Sequence, residues 1–153
     1  MSNPILARWK SLSPKPLGPW LFNKGLARMV PYTGTVRPEV KELRPGFARV
    51  EMRDRKIVRN HLNSIHAIAL VNLGEVASGL AMLAGLPREM RGIVTSLKID
   101  YLKKARGTLT ATCECSPPTE MVDQQFDVIA SIKDTSGDEV ARTTVTWKIG
   151  PKG

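Results

Sequence analysis

A chain of 153 residues, 42% hydrophobic and 24% charged with 12 Gly and 11 Pro, has room for one packed domain and a short appendage, which excludes a disordered or collagen-like chain. Only two cysteines occur, Cys113 and Cys115, which excludes a disulfide scaffold and suits a reducing, cytoplasmic compartment. The net charge of +9 is uneven, since residues 1–59 hold 13 Lys/Arg against 4 Asp/Glu while residues 60–153 hold 10 of each.

Residues 1–30 carry Arg8, Lys10, Lys15, Lys24 and Arg28 and no acid. They offer no continuous apolar core followed by a small-residue cleavage site, so no secretory signal is expected. Pro14, Pro16 and Pro19 divide the stretch into two short helices, 4–12 and 20–29, given an apolar side by Trp9, Trp20, Leu21 and Phe22. The segment 1–31 is expected to pack as a brace on a main domain at 32–153. Weak contact with an acidic membrane surface is its second reading. The basic groups are scattered through amphipathic segments, without a helix-turn-helix, zinc-finger or RNP-like pattern. No nucleic-acid partner is expected. Steering of an anionic ligand suits them better.

From Tyr32 the period becomes two, predicting a strand at 35–43 with Pro38 at an edge or bulge. Arg44-Pro45-Gly46 turns the chain into a second strand, 47–52, where Ala48, Val50 and Met52 alternate with Arg49 and Glu51. A polar stretch, 53–64, leads into a helix at 66–84 that is apolar on nearly every side and stopped by Gly85 and Pro87. Asn72, Glu75 and Ser78 in its middle would be penalised in lipid, so it reads as a core helix of a soluble protein. Four alternating strands follow, 93–102, 108–115, 125–133 and 139–149. The first presents Ile93, Leu97, Ile99 and Tyr101 on one face. Residues 105–107 and 134–138 are expected as hairpin turns and 116–124 as a longer loop. Two strands, one helix and four strands make an α+β domain, a largely antiparallel sheet wrapping one long helix.

Glu75 sits two and a half turns into that apolar helix. A carboxyl group there is costly unless it meets a partner, a wet cleft or a subunit interface. Nine residues separate it from His66, roughly 13–14 Å along the axis and about 180° around it. If both serve one small site, a second chain supplies one of them, and a two-fold dimer follows.

Asn60, six residues to His66 and nine more to Glu75, resembles the hotdog-fold acyl-CoA thioesterases of the phenylacetyl-CoA type. With Tyr101-Leu102-Lys103-Lys104-Ala105-Arg106-Gly107, the run also resembles a thioesterase-like branch of that superfamily of unknown function. The element order matches over residues 32–150. The resemblance implies a hotdog fold, a homodimer or homotetramer, and an acyl-CoA or similar thioester as substrate. It implies no cofactor beyond the substrate's own coenzyme A, and no metal. It makes Glu75 of one chain the general base or the nucleophile, with the amides of Ala67 and Ile68 polarising the thioester oxygen at the other chain's helix N-terminus. Asn60 would orient water or carbonyl, and His66 would hold the loop. Ala67 and Ile68 stand where the family has two glycines, which narrows the approach to the backbone.

Asn72 and Ser78, each three residues from Glu75, are candidates to hold a water. Lys103, Lys104 and Arg106 are candidates for the coenzyme phosphates, with Arg53, Arg55, Lys56 and Arg59 as rivals. A non-catalytic acyl-CoA or lipid-binding module and a hotdog dehydratase are the other readings. No G-x-S-x-G elbow, P-loop, Rossmann glycine run or zinc spacing occurs.

Overall fold

A computed structural model describes residues 3–153, so Met1 and Ser2 of the N-terminal segment lie outside the described residues. The chain begins with α1, Pro4–Leu12, whose first turn holds Pro4 and whose Asn3 cap accepts from the Ile5 amide at 3.1 Å. Helix α2, Gly18–Met29, folds back on it. Trp9 and Phe22 meet edge to face at 5.0 Å between centroids, and with Leu6 and Leu26 they join the main core.

The strand expected at 35–43 is present from Glu39, but its first two residues, Thr35 and Val36, close a short helix. Pro31 opens α3, Pro31–Val36, and Thr33 and Val36, three residues apart, turn one face inward. Arg37 at φ +54 and Pro38 then end it, because the residue before a proline is disfavoured in the helical region. Strand β1 starts at Glu39 and runs to Arg44. The β-branched residues of α3 imitate a strand, while its helical state is set by Pro31 and by packing on α2.

The remaining elements are β2 (Phe47–Met52), α4 (Ala67–Gly85), β3 (Met90–Tyr101), β4 (Leu109–Glu114), β5 (Gln124–Lys133) and β6 (Glu139–Pro151). The six strands form one antiparallel sheet in the order β1-β2-β4-β5-β6-β3. Alternate residues, among them Val50, Met52, Leu109, Ala111, Val128, Ala130, Val145 and Ile149, are buried against α4, which lies across the sheet. This is the hotdog fold. Helix α4, long and apolar enough by composition to cross a bilayer, is the protein's own core helix.

Residues 105–107 are not a hairpin turn. The chain crosses there from β3, at one edge beside β6, to β4 between β2 and β5. Contacts with the loop before α4 hold this crossover, and no local sequence signal distinguishes it from a hairpin. The turn at 134–138 does join neighbouring strands, β5 and β6.

The two sheet edges differ. Edge strand β1 is short and covered with charge pairs, including Lys41–Glu39 at 2.9 Å and Arg53–Glu39 at 3.3 Å. Edge strand β3 is twice as long, and its apolar residues are not all in the core as expected. Ile93 is 57% exposed, Val94 and Tyr101 are exposed too, and Leu97 and Ile99 are half-buried. The edge lies beyond most of α4.

Candidate active site

The N-terminus of α4 is built by two loops that hold each other. In the first, Asn60 Oδ1 accepts from the Leu62 amide at 2.9 Å, the Ser64 amide at 3.3 Å and the Ser64 hydroxyl at 3.2 Å. The left-handed Asn63, φ +55, completes this turn. The second loop, after β3, is tied to it through the Ile65 amide donating to the Ala105 carbonyl at 2.9 Å and the Gly107 amide donating to Asp54 Oδ2 at 2.9 Å. Arg59 Nε donates to Asp54 Oδ1 at 2.6 Å. Burial opposes the charge of Asp54, but the guanidinium and the Gly107 amide together hold its pKa below the ordinary carboxylate value.

His66 is the N-cap of α4. Its Nδ1 accepts from the Ile68 amide at 3.0 Å, which places the neutral ring's proton on Nε2. The Tyr101 hydroxyl donates to the Ala67 carbonyl at 3.0 Å, pinning the end of β3 to the first helical turn. Burial pushes the Tyr101 phenol up. Beside this turn opens a cavity of about 390 Å3, lined by Asn60, Ser64, Ala67, Leu70, Tyr101 and the loop that carries Lys103 and Lys104.

The structure thus brings Asn60, Ala67, Lys103 and Lys104 to one cavity. It leaves Ile68 half exposed outside that lining, with its amide already given to His66. Among the described residues no group accepts from the Ala67 amide. Lys103 is bound to Asp134 at 2.8 Å and Asp138 at 2.6 Å, and these carboxylates push its ammonium up to about 12. Arg106 Nε reaches the Asn63 carbonyl at 3.4 Å. Lys104, exposed, has no ion-pair partner among the described residues.

Glu75 lies apart from this cavity, as its position along α4 requires. It is half-buried, and burial pushes its carboxyl up; among the described residues no side chain or amide hydrogen-bonds it. Its surroundings are small and close-packed against β6. A methyl group at Gly79 would lie 3.1 Å from the Trp147 ring and 4.0 Å from Glu75 Oε1. Asn72 Nδ2 donates to Thr33 Oγ1 at 3.1 Å, joining α4 to α3, and the fully buried Ser78 hydroxyl donates to the Glu75 main-chain oxygen at 3.0 Å. Both polar residues are therefore engaged in holding helices. Asn72 Oδ1, Thr143 Oγ1 and Trp147 Nε1 are buried without hydrogen-bond partners among the described residues. Nor does any cluster of three metal-ligating side chains occur among them.

Tyr101, Ser64 and Asp54 are positioning residues that the sequence pattern does not single out. Tyr101 stands in the run quoted above, but its bond to Ala67 spans 34 residues. Only the crossover brings them together.

Residues 18–149 match the profile of DUF4442, a domain of unknown function. No curated protein matches the chain. Among solved structures, a structural-genomics protein superposes with TM-score 0.82 at 27% identity, over 97% of each chain. A Pseudomonas aeruginosa protein of unknown function, described as a probable thioesterase, gives 0.77 at 18% identity over 88% of this chain and 97% of that one. A thioesterase from Staphylococcus aureus gives 0.70 at 18% identity over 80% of this chain and all of its own, 100%. At these identities the last two show a shared fold.

Proposed function

The chain belongs to the DUF4442 family, and from its thioesterase-like fold and the setting of Glu75 we propose that it hydrolyses acyl-CoA thioesters. The observation that carries this reading is an unpartnered carboxylate, raised in pKa by burial, on the helix the fold wraps. A raised pKa makes such a group a stronger base than an ordinary carboxylate. It takes a proton from water as that water adds to the thioester carbonyl, and collapse expels the thiol of coenzyme A and leaves a carboxylic acid. Attack by Glu75 itself, which breaks the C–S bond and expels the coenzyme A thiolate to give an anhydride that water then opens to the acid and free Glu75, is the other route open to it. The Ala67 amide and the α4 dipole would receive the developing oxyanion, and Asn60 Nδ2 would orient the carbonyl or water. Lys104, with Arg106 beside it, suits the coenzyme phosphates.

Since Glu75 lies about 12 Å further along the same helix than the Ala67 amide, the reading requires a second copy. The long, apolar β3 edge is the surface that supports it, because an exposed strand of this kind asks for a pairing partner. A homodimer, or a homotetramer built from it, in the cytoplasm completes the proposal. Glu75→Gln and Glu75→Ala are expected to abolish thiol release from a panel of acyl-CoA thioesters while the dimer persists in light scattering. Unchanged turnover in either variant refutes the role of Glu75.

One observation favours a second reading, a non-catalytic acyl-CoA or lipid-binding module. The Ile68 amide is occupied by His66, so it is not free to polarise a thioester oxygen. That reading predicts a rise in Tm with acyl-CoA and no thiol release.

A further inference from the structure

The N-terminal helices present a surface that the hydrolytic reading leaves unused. Gly18, Phe22 and Leu26, four residues apart, form the buried side of α2. Leu17, Trp20, Leu21, Lys24 and Arg28 fall on the opposite side within an arc of about 100° and all are exposed. Leu17 is 73% exposed at φ +61, at the tip of the α1–α2 connection just after Lys15. Trp20 is 55% and Leu21 47% exposed, and Lys24 Nζ lies 5.2 Å above the Trp20 ring. An exposed α-face that combines Trp and Leu with Lys and Arg is unlike an ordinary solvated helix surface, which is polar. No acid occurs in residues 1–30 to pair these cations, and among the described residues Lys15, Lys24 and Arg28 form no ion pair.

We infer that this face docks on an anionic phospholipid surface. Two apolar side chains and an indole project beside three cations, so insertion into the headgroup–acyl boundary and attraction to lipid phosphate act at one place. Charge complementarity selects lipid over a second copy of this face, because two copies would set five-fold basic, acid-free segments against each other. The helix need not unfold or turn over to do this, since its inner side stays packed on the core. Trp20 at the margin of the patch matches the interfacial preference of indole.

The test is flotation of the intact chain with phosphatidylcholine vesicles, and with phosphatidylcholine mixed with phosphatidylglycerol. Binding is expected only to the mixed vesicles, falling as salt rises. Trp9 and Trp147 are buried, so a blue shift of emission on binding reports Trp20, and Trp20→Phe should remove it. Lys15→Gln, Lys24→Gln and Arg28→Gln should each weaken binding about fivefold. Leu17→Ser with Leu21→Ser should abolish the blue shift. These side chains are exposed, and circular dichroism checks the fold of each variant. Equal partition onto both vesicle types, or no partition, overturns the inference. So does a concentration-dependent oligomer that Leu17→Ser dissolves without any vesicle binding, which would assign the face to a second copy.

Discussion

The imidazole of His66 caps α4 by accepting from the Ile68 amide at 3.0 Å, so this side chain is bonded into the backbone of the helix it precedes. Only neutral Nδ1 accepts that proton. His66→Ala is therefore expected to cost about 1 kcal/mol of stability, and His66→Asn, whose side-chain oxygen can cap in the same way, only a few tenths. Urea denaturation of the three proteins measures this. If His66 carried protons in turnover, the Asn variant would be as inactive as the Ala variant; as a cap, it retains most of the activity.

Glu75 gives a pH dependence with a definite sign. Its folded-state pKa lies above the unfolded value of about 4.3, so the folded state is penalised once pH rises past that value and through the raised one. Glu75→Gln should melt higher than the natural protein at pH 7–8, by a difference that closes as pH falls to about 4. In the natural protein kcat/KM should fall as acid protonates the same group. A Tm difference independent of pH would mean that the carboxylate is not the cause.

Asp54 runs the opposite way. Its pKa is held down in the folded state, so its contribution is present above the unfolded value of about 3.9 and lost as pH falls through the lower folded value. Asp54→Asn should lower Tm at pH 7 and nearly match the natural protein at about pH 2–3. Because Asp54 joins Arg59 to Gly107, the variant should also loosen the cavity beside Ala67, seen as faster hydrogen exchange at Gly107 and Ile65.

The periodic elements were legible in the residues: α4 with its glycine and proline stop, and the inward faces of β2, β4, β5 and β6 all follow from spacing. What misled was context. Thr33, Thr35 and Val36 have strand-forming side chains, yet Pro31 and the burial of Thr33 and Val36, in a helix packed on α2 and α4, make the segment helical. The apolar face of β3 reads as core because sequence shows alternation and not position in the sheet. At the site, the spacing of Asn60, His66 and Glu75 located the loop and the helix. That Asn60 Oδ1 and His66 Nδ1 are both spent on backbone amides could not be read, since those bonds depend on the folded loop.

Two neighbouring lysines should separate in a binding measurement. Lys103 is held by Asp134 and Asp138, whereas Lys104 is free of such partners among the described residues. Lys104→Ala is expected to raise KM for an acyl-CoA about fivefold with kcat little changed. Lys103→Ala should leave KM within about twofold and act on the loop, through the lost tie to the β5–β6 turn. The reverse order would move the phosphate site to Lys103.

Gly74 tests the packing on which Glu75 depends. A methyl group there would stand 2.9 Å from Thr143 Cβ and closer still to both of that residue's branches, on strand β6. Rotating Thr143 does not remove the conflict, because its Cβ is fixed by the backbone. Alanine favours the helix by about 1 kcal/mol, but overpacking of a close-packed core costs about 1–3 kcal/mol and displaces α4 from the sheet. Gly74→Ala should therefore destabilise the protein on balance, lowering Tm by about 2–4 °C for each kcal/mol lost. Because Glu75 is the next residue, the same shift should depress kcat more than it raises KM. A variant as stable and active as the natural protein would show that helix and sheet are not in the close contact described.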